Sequence, residues 1–127
     1  MDKIELINYA KEAMKNSYSP YSKFAVGRAL LAKSGKVYLG CNIENASYGA
    51  TNCAERTAVF KAVSEGEREF EMIAIVSSSQ DYTYPCGICR QVLAEFMPKG
   101  EVILYNEKDI KTIKVEELLP YAFSLEV

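Results

Sequence analysis

Three cysteines and one glutamate carry the chemistry of this sequence. Cys53 and Glu55 stand in the run Asn52-Cys53-Ala54-Glu55-Arg56, and Cys86 and Cys89 in Pro85-Cys86-Gly87-Ile88-Cys89-Arg90-Gln91. Cys86 and Cys89 fall at the start of an expected helix, where that spacing puts both side chains on one face, able to clamp a single ion. Alone, such a pair fits a redox dithiol or half of a structural zinc site equally well. Cys53 adds a third thiolate, at the first turn of another expected helix, and favours zinc with three sulfur ligands and one open position. Histidine is absent, so a metal must be held by sulfur or oxygen.

The charges of such a site need balancing. A zinc dication with three thiolates carries one net negative charge, which makes a bound water less acidic than three neutral ligands would. Arg56 follows Cys53 by three residues and shares its helix face. Its guanidinium is expected to hydrogen-bond the thiolates, chiefly that of Cys53, and the two helix N-termini add positive charge of their own. A surface salt bridge is the alternative role for Arg56. Glu55 does not share a helix face with Cys53, yet both can reach an ion just beyond the helix tip. A carboxylate beside the metal without ligating it is a general base; favouring the helix dipole from the first turn is its ordinary alternative.

These residues must be positioned by the elements around them. Ile4, Ile7, Ala10 and Met14 give residues 3–16 a helical period, stopped by Ser19-Pro20. Phe24 to Ala32 and Val37 to Cys41 are apolar runs around Lys33-Ser34-Gly35-Lys36, a hairpin pattern. Residues 42–52 form a polar loop. A helix is expected from about Cys53 to Glu65, with Asn52 as N-cap and Gly66 at its end. Phe70 to Ser78 reads as a buried strand, residues 86–96 as a helix introduced by Pro85, and Val102 to Tyr105 as a strand. A short strand near Lys111 to Lys114 and a short helix near Glu116 to Leu119 complete the chain. This order indicates an α/β sheet whose strand–helix–strand part is parallel and right-handed, so that both cysteine-bearing helices start at one sheet edge.

The 127 residues suit one compact domain, 1–127, large enough to fold without disulfides. Fifteen basic and seventeen acidic residues leave a net charge of −2 with no basic run, which speaks against a phosphate-tracking, nucleic-acid-binding face. No apolar stretch approaches the ~20 residues that span a bilayer. Charge begins at Asp2, so a secretory leader is not expected and a soluble, cytoplasmic protein with reduced thiols is.

The motifs together resemble the zinc-dependent cytidine deaminases, in their small form with three cysteine ligands. The likeness covers Ser-Pro-Tyr-Ser-Lys-Phe-Ala-Val-Gly at 19–27, Gly-Cys-Asn-Ile-Glu-Asn-Ala-Ser-Tyr-Gly at 40–49 and Cys-Ala-Glu-Arg-Thr-Ala at 53–58. It continues through Pro-Cys-Gly-Ile-Cys-Arg-Gln at 85–91 to Leu-Leu-Pro-Tyr-Ala-Phe at 118–123, where Tyr121 replaces the family's glycine. The resemblance implies a three-layer α/β/α sandwich on a mixed sheet of about five strands. It implies one zinc per subunit on Cys53, Cys86 and Cys89, and Glu55 as the group that moves protons between water, N3 and the leaving amine of a cytosine nucleoside. It further implies that Asn42 and Glu44 hold the ribose, that Phe24 packs near the base with Tyr48 in the same pocket, and that backbone groups near Ala54 and Tyr84 read the pyrimidine edge. Phe123 would reach a neighbouring subunit's pocket in a homotetramer acting in pyrimidine salvage.

Three rival readings remain at this point. Cys41 as a fourth thiolate would make a closed, structural zinc module, although a cysteine ending a strand also packs as a small hydrophobe. A polynucleotide or tRNA deaminase is opposed by the lack of an aromatic, basic groove. A deaminase of a modified cytosine nucleoside, of the blasticidin type, shares the chemistry.

Overall fold

The computed structural model describes residues 1–125. Its elements run α1 (Lys3–Met14), β1 (Val26–Ala32), β2 (Val37–Cys41), a short 3-10 turn (Tyr48–Ala50), α2 (Ala54–Ser64), β3 (Phe70–Ser77), α3 (Gly87–Phe96), β4 (Glu101–Tyr105), β5 (Ile110–Lys114) and α4 (Val115–Leu118). Every expected element is present, with no end shifted by more than two residues. Helix α1 starts at Asp2, whose carboxylate accepts the amide hydrogen of Glu5 at 2.8 Å. The hairpin forms as the turn residues predict, with Leu31 opposite Val37.

The five strands make one mixed sheet in the order β2-β1-β3-β4-β5, in which only β3 and β4 are parallel. Strand β2 runs against β1, and β1 against β3; β2 and β3 therefore point the same way. The helix that follows each of them, α2 or α3, begins at the same edge of the sheet. That shared edge is where the cysteines meet.

Period-two alternation divides the core into two layers. Leu6, Ile7 and Ala10 of α1 pack on Ala29, Leu31, Ala74, Val76 and Ile103. Ala58, Val59 and Ala62 of α2 and Leu93 of α3 pack on Leu30, Ile73, Ile75, Val102 and Leu104 from the other side. The result is the α/β/α sandwich implied above. Two glycines set how closely the helices approach. A Cβ on Gly27 would lie 2.1 Å from the carbonyl oxygen of Ala10 in α1, and one on Gly40 would lie 2.4 Å from that of Ala54 in α2. Only glycine lets both helices press this near the strands, and the second contact fixes the turn that carries Cys53 and Glu55. At the chain's end, Tyr121 adopts a left-handed backbone with φ 56, a conformation that strains a residue other than glycine by about 1 kcal/mol or more.

Candidate active site

The helix starts differ from expectation in a way that serves the thiols. Cys53, not Asn52, occupies the N-cap of α2, and Cys86 occupies that of α3. Asn52 is drawn away: its backbone pairs with Ile43 in an isolated bridge, and its amide donates to Thr57 Oγ1 at 3.0 Å. Both capping cysteines have extended backbones and neither thiol makes a capping hydrogen bond, so both sulfurs are free to face a ligand. Cys89, in the first turn of α3, is fully buried.

The three sulfurs lie within 4.8 Å of one another, and Cys53 Sγ stands 3.7 Å from Cys86 Sγ. Two sulfurs on one tetrahedral zinc, each about 2.3 Å from it, stand about 3.8 Å apart. The donor set therefore fits zinc in chemistry, and the Cys53–Cys86 separation matches that spacing. The cluster is electrostatically uneasy with protons alone. Cys53 is pulled down to about 5, first by the neighbouring Cys89 thiol and then by Arg56. Cys89 is pushed up, first by Cys53 and then by burial. A divalent cation resolves this competition by accepting all three sulfurs as thiolates. Cys41, the proposed fourth ligand, stays outside the cluster; burial pushes its thiol up, as for a packed side chain.

Arg56 Nη2 donates to Cys53 Sγ at 3.2 Å. Contact with the thiols raises the guanidinium's pKa, Cys53 contributing most. Glu55 is 3% exposed and turned into the protein beside the cluster, not out to solvent as a plain first-turn acid would be.

Sequence reasoning passed over its partner. Arg28, in the all-buried strand Val-Gly-Arg-Ala-Leu-Leu-Ala, is 1% exposed, and its Nε lies 3.0 Å from Glu55 Oε1. The contact is an ion pair and not an aligned hydrogen bond, since Nε–H has no properly directed acceptor. A lone cation inside an apolar strand was the available signal, because such a charge must find a buried partner.

The expected substrate residues do not line a single cleft with the thiols. Asn42 is committed to the protein: Oδ1 accepts from Val26 N at 2.9 Å and Ser17 Oγ at 2.5 Å, and Nδ2 donates to Phe24 O at 2.7 Å. Glu44 Oε1 accepts from the amides of Tyr21 and Ser22 at 3.0 and 3.1 Å, and Oε2 from the Ser22 hydroxyl. Glu44 and Tyr48 line a cleft of about 300 Å³ with Tyr21, Ser22, Asn45 and Thr51, which does not include the thiols. Phe24 is exposed, and Ala54 is buried at the start of α2. Tyr84 is exposed, with its hydroxyl accepting from Lys111 Nζ at 3.0 Å. Phe123 is 69% exposed on a tail anchored where Gln91 donates to its carbonyl at 3.3 Å. A cavity of about 600 Å³ lined by Lys33, Phe70, Lys99 and Glu101 contains none of these residues.

The profile of the cytidine and deoxycytidylate deaminase zinc-binding region matches residues 1–105. A cytidine deaminase of Sporosarcina psychrophila is 54% identical, with 99% of this chain and 94% of that protein covered. One of Halalkalibacterium halodurans is 55% identical, with 99% and 97% covered. The crystal structure of cytidine deaminase from Burkholderia pseudomallei matches with a TM-score of 0.93 at 49% identity, covering 97% of this chain and 100% of that one. A blasticidin-S deaminase of Bacillus cereus is more distant, at 32% identity.

Proposed function

The chain belongs to the cytidine and deoxycytidylate deaminase family, and from that premise we infer that it hydrolyses cytidine at C4 to uridine and ammonia, with deoxycytidine as a second substrate. The observation that carries the assignment is the convergence of three thiols from two helix starts beside the buried carboxylate of Glu55. Cys53, Cys86 and Cys89 would hold the zinc. When bound, it supplies a Lewis acid that makes water nucleophilic near neutral pH. Arg56 offsets part of the thiolate charge at Cys53.

Glu55 does the proton work. Its carboxylate accepts a proton from the attacking water as the oxygen bonds to C4, and delivers that proton to N3. It then takes the remaining hydroxyl proton and gives it to the exocyclic amine. The C4–N bond breaks, the C4 carbonyl forms, and ammonia leaves. One water is consumed, and the carboxylate ends as it began.

The substrate residues named above orient the nucleoside in this reading. The backbone at Ala54, at a helix N-terminus with unpaired N–H groups, and the backbone near Tyr84 meet the base edge. Phe24 flanks the ring, and Glu44, Tyr48 and Asn42 lie towards the sugar. Asn42 serves by holding the loop that carries Phe24, given that its side-chain groups are spent on Ser17, Phe24 and Val26. The exposure of Phe123 and Tyr48 supports their burial against neighbouring copies, which makes a homotetramer the proposed assembly. No helix among the described residues is long and apolar enough to cross a membrane; a role in pyrimidine salvage in the cytoplasm completes the proposal.

The test is to incubate the purified protein with cytidine, follow the loss of ultraviolet absorbance, and quantify zinc on the same sample. Turnover with one zinc per chain is expected; unchanged cytidine at full zinc occupancy refutes the assignment. Blasticidin S in a parallel assay measures the rival substrate, which the lower identity to the blasticidin-S deaminase disfavours.

A further inference from the structure

The residue that the mechanism above leaves unused is Arg28, a fully buried cation in the middle of an apolar sheet. Alternation on β1 puts Arg28 on the same face as Leu30, towards α2, where its cross-strand neighbours are Gly40 and Ile75. Because α2 presses onto Gly40, the first turn of that helix lies over the guanidinium. The group is anchored from behind: Nη1 donates to the carbonyls of Gly27 and Val76, each at 3.1 Å. Its Nε faces Glu55 Oε1 at 3.0 Å. Among the described residues, no hydrogen bond or ion pair engages Oε2.

We propose that Arg28 is the positioning residue for Glu55: it grips one carboxylate oxygen from the strand side and leaves the other to carry the protons. The inference rests on the proton-carrying role assigned to Glu55. A side chain that moves protons among three sites must hold its place to a fraction of an ångström, and a buried ion pair tied to two strands supplies that constraint. Arg28 also completes the charge balance. The zinc dication and the guanidiniums of Arg28 and Arg56 together match the three thiolates and the Glu55 carboxylate. Without Arg28 the enclosed site would carry a net negative charge, unfavourable in a medium that screens charge poorly. The two arginines divide the task. Arg56 faces the sulfurs, and Arg28 faces the acid.

Two variants test this. Arg28→Lys keeps the charge and loses the fork that reaches Gly27, Val76 and Glu55 at once. Arg28→Met keeps the bulk and loses the charge. Both are expected to retain one zinc per chain and a KM for cytidine within about threefold of wild type, while kcat falls about tenfold for Lys and about a hundredfold for Met. Wild-type kcat in Arg28→Lys, a loss that tracks lost zinc, or a change confined to KM overturns the proposal. Glu55→Gln separates the two readings: if it turns over normally, the proton-carrier assignment fails. If it is inactive while Arg28→Lys is fully active, only the role of Arg28 fails. Melting supplies a readout besides activity, even if Arg28→Met alone does not accumulate as folded protein. The double variant Arg28→Met/Glu55→Gln, with both charges gone, is expected to melt above Arg28→Met, or to fold where it does not. Equal or lower melting of the double variant overturns the pairing.

Discussion

Arg56 Nη2 lies 3.2 Å from the sulfur of Cys53, one turn along the same helix. The pair links metal chemistry to helix geometry. Cys53 caps α2 and Arg56 sits on the turn above it, so the guanidinium reaches back to the sulfur without any loop to place it. A charged donor on a thiolate draws electron density away from the metal and counters the excess negative charge of three sulfurs.

Arg56→Ala should therefore lower zinc affinity, kcat or both by about 10- to 100-fold, the usual effect of removing a group that supports a metal ligand. Chelator competition and steady-state kinetics measure the two separately. Unchanged values in both would show that the arginine only fills space.

Cys89 and Cys41 should behave oppositely. Cys89 is buried within the cluster and Cys41 lies outside it. Cys89→Ser should lose stoichiometric zinc, whereas Cys41→Ala should keep one zinc per chain and near-normal turnover, at a stability cost of about 1 kcal/mol or less. Zinc lost from Cys41→Ala would revive a four-thiolate structural site.

Asn42→Ala should act on the fold before it acts on the substrate. Three hydrogen bonds tie its amide to Ser17, Phe24 and Val26, and losing such bonds at partly buried groups costs about 1 kcal/mol or more in all. Urea unfolding should show that loss, with KM for cytidine rising only as far as the Phe24 loop shifts. Normal stability with a large rise in KM would instead make Asn42 a direct sugar contact.

Glu44 offers a pH test away from the thiols. The Ser22 hydroxyl, then the amides of Ser22 and Tyr21 and the charge of Lys23, hold its carboxyl below the ordinary 4.5. A depressed folded pKa gives stability that is full above the ordinary value and is lost as pH falls through the lower one. Glu44→Gln should therefore melt below wild type at about pH 7, with the gap closing under about pH 4.5. A gap that is constant from neutral to acid would show that the charge of Glu44 does not hold the Tyr21–Ser22 loop.

The cluster of Cys53, Cys86 and Cys89 was legible because thiol spacing at helix starts is local, and strand directions could be inferred from the order of the elements. The N-cap of α2 was misjudged by one residue because Asn52 is claimed by Ile43 and Thr57, a competition that propensity alone does not show. Arg28 and Asn42 were obscured for a related reason. The partner of Arg28 is on another element, and those of Asn42 come within reach only when β1 and β2 pair. Chain proximity announces Arg56 beside Cys53, but only the packing of α2 on Gly40 brings Glu55 to Arg28.

The central claim is that Glu55 carries the protons of a zinc-assisted hydrolysis. Zinc content and cytidine turnover measured together on Glu55→Gln test it most directly. The account predicts one zinc per chain and kcat reduced by at least about a thousandfold, since an amide cannot accept the proton of the attacking water. Full zinc with kcat near wild type would contradict it.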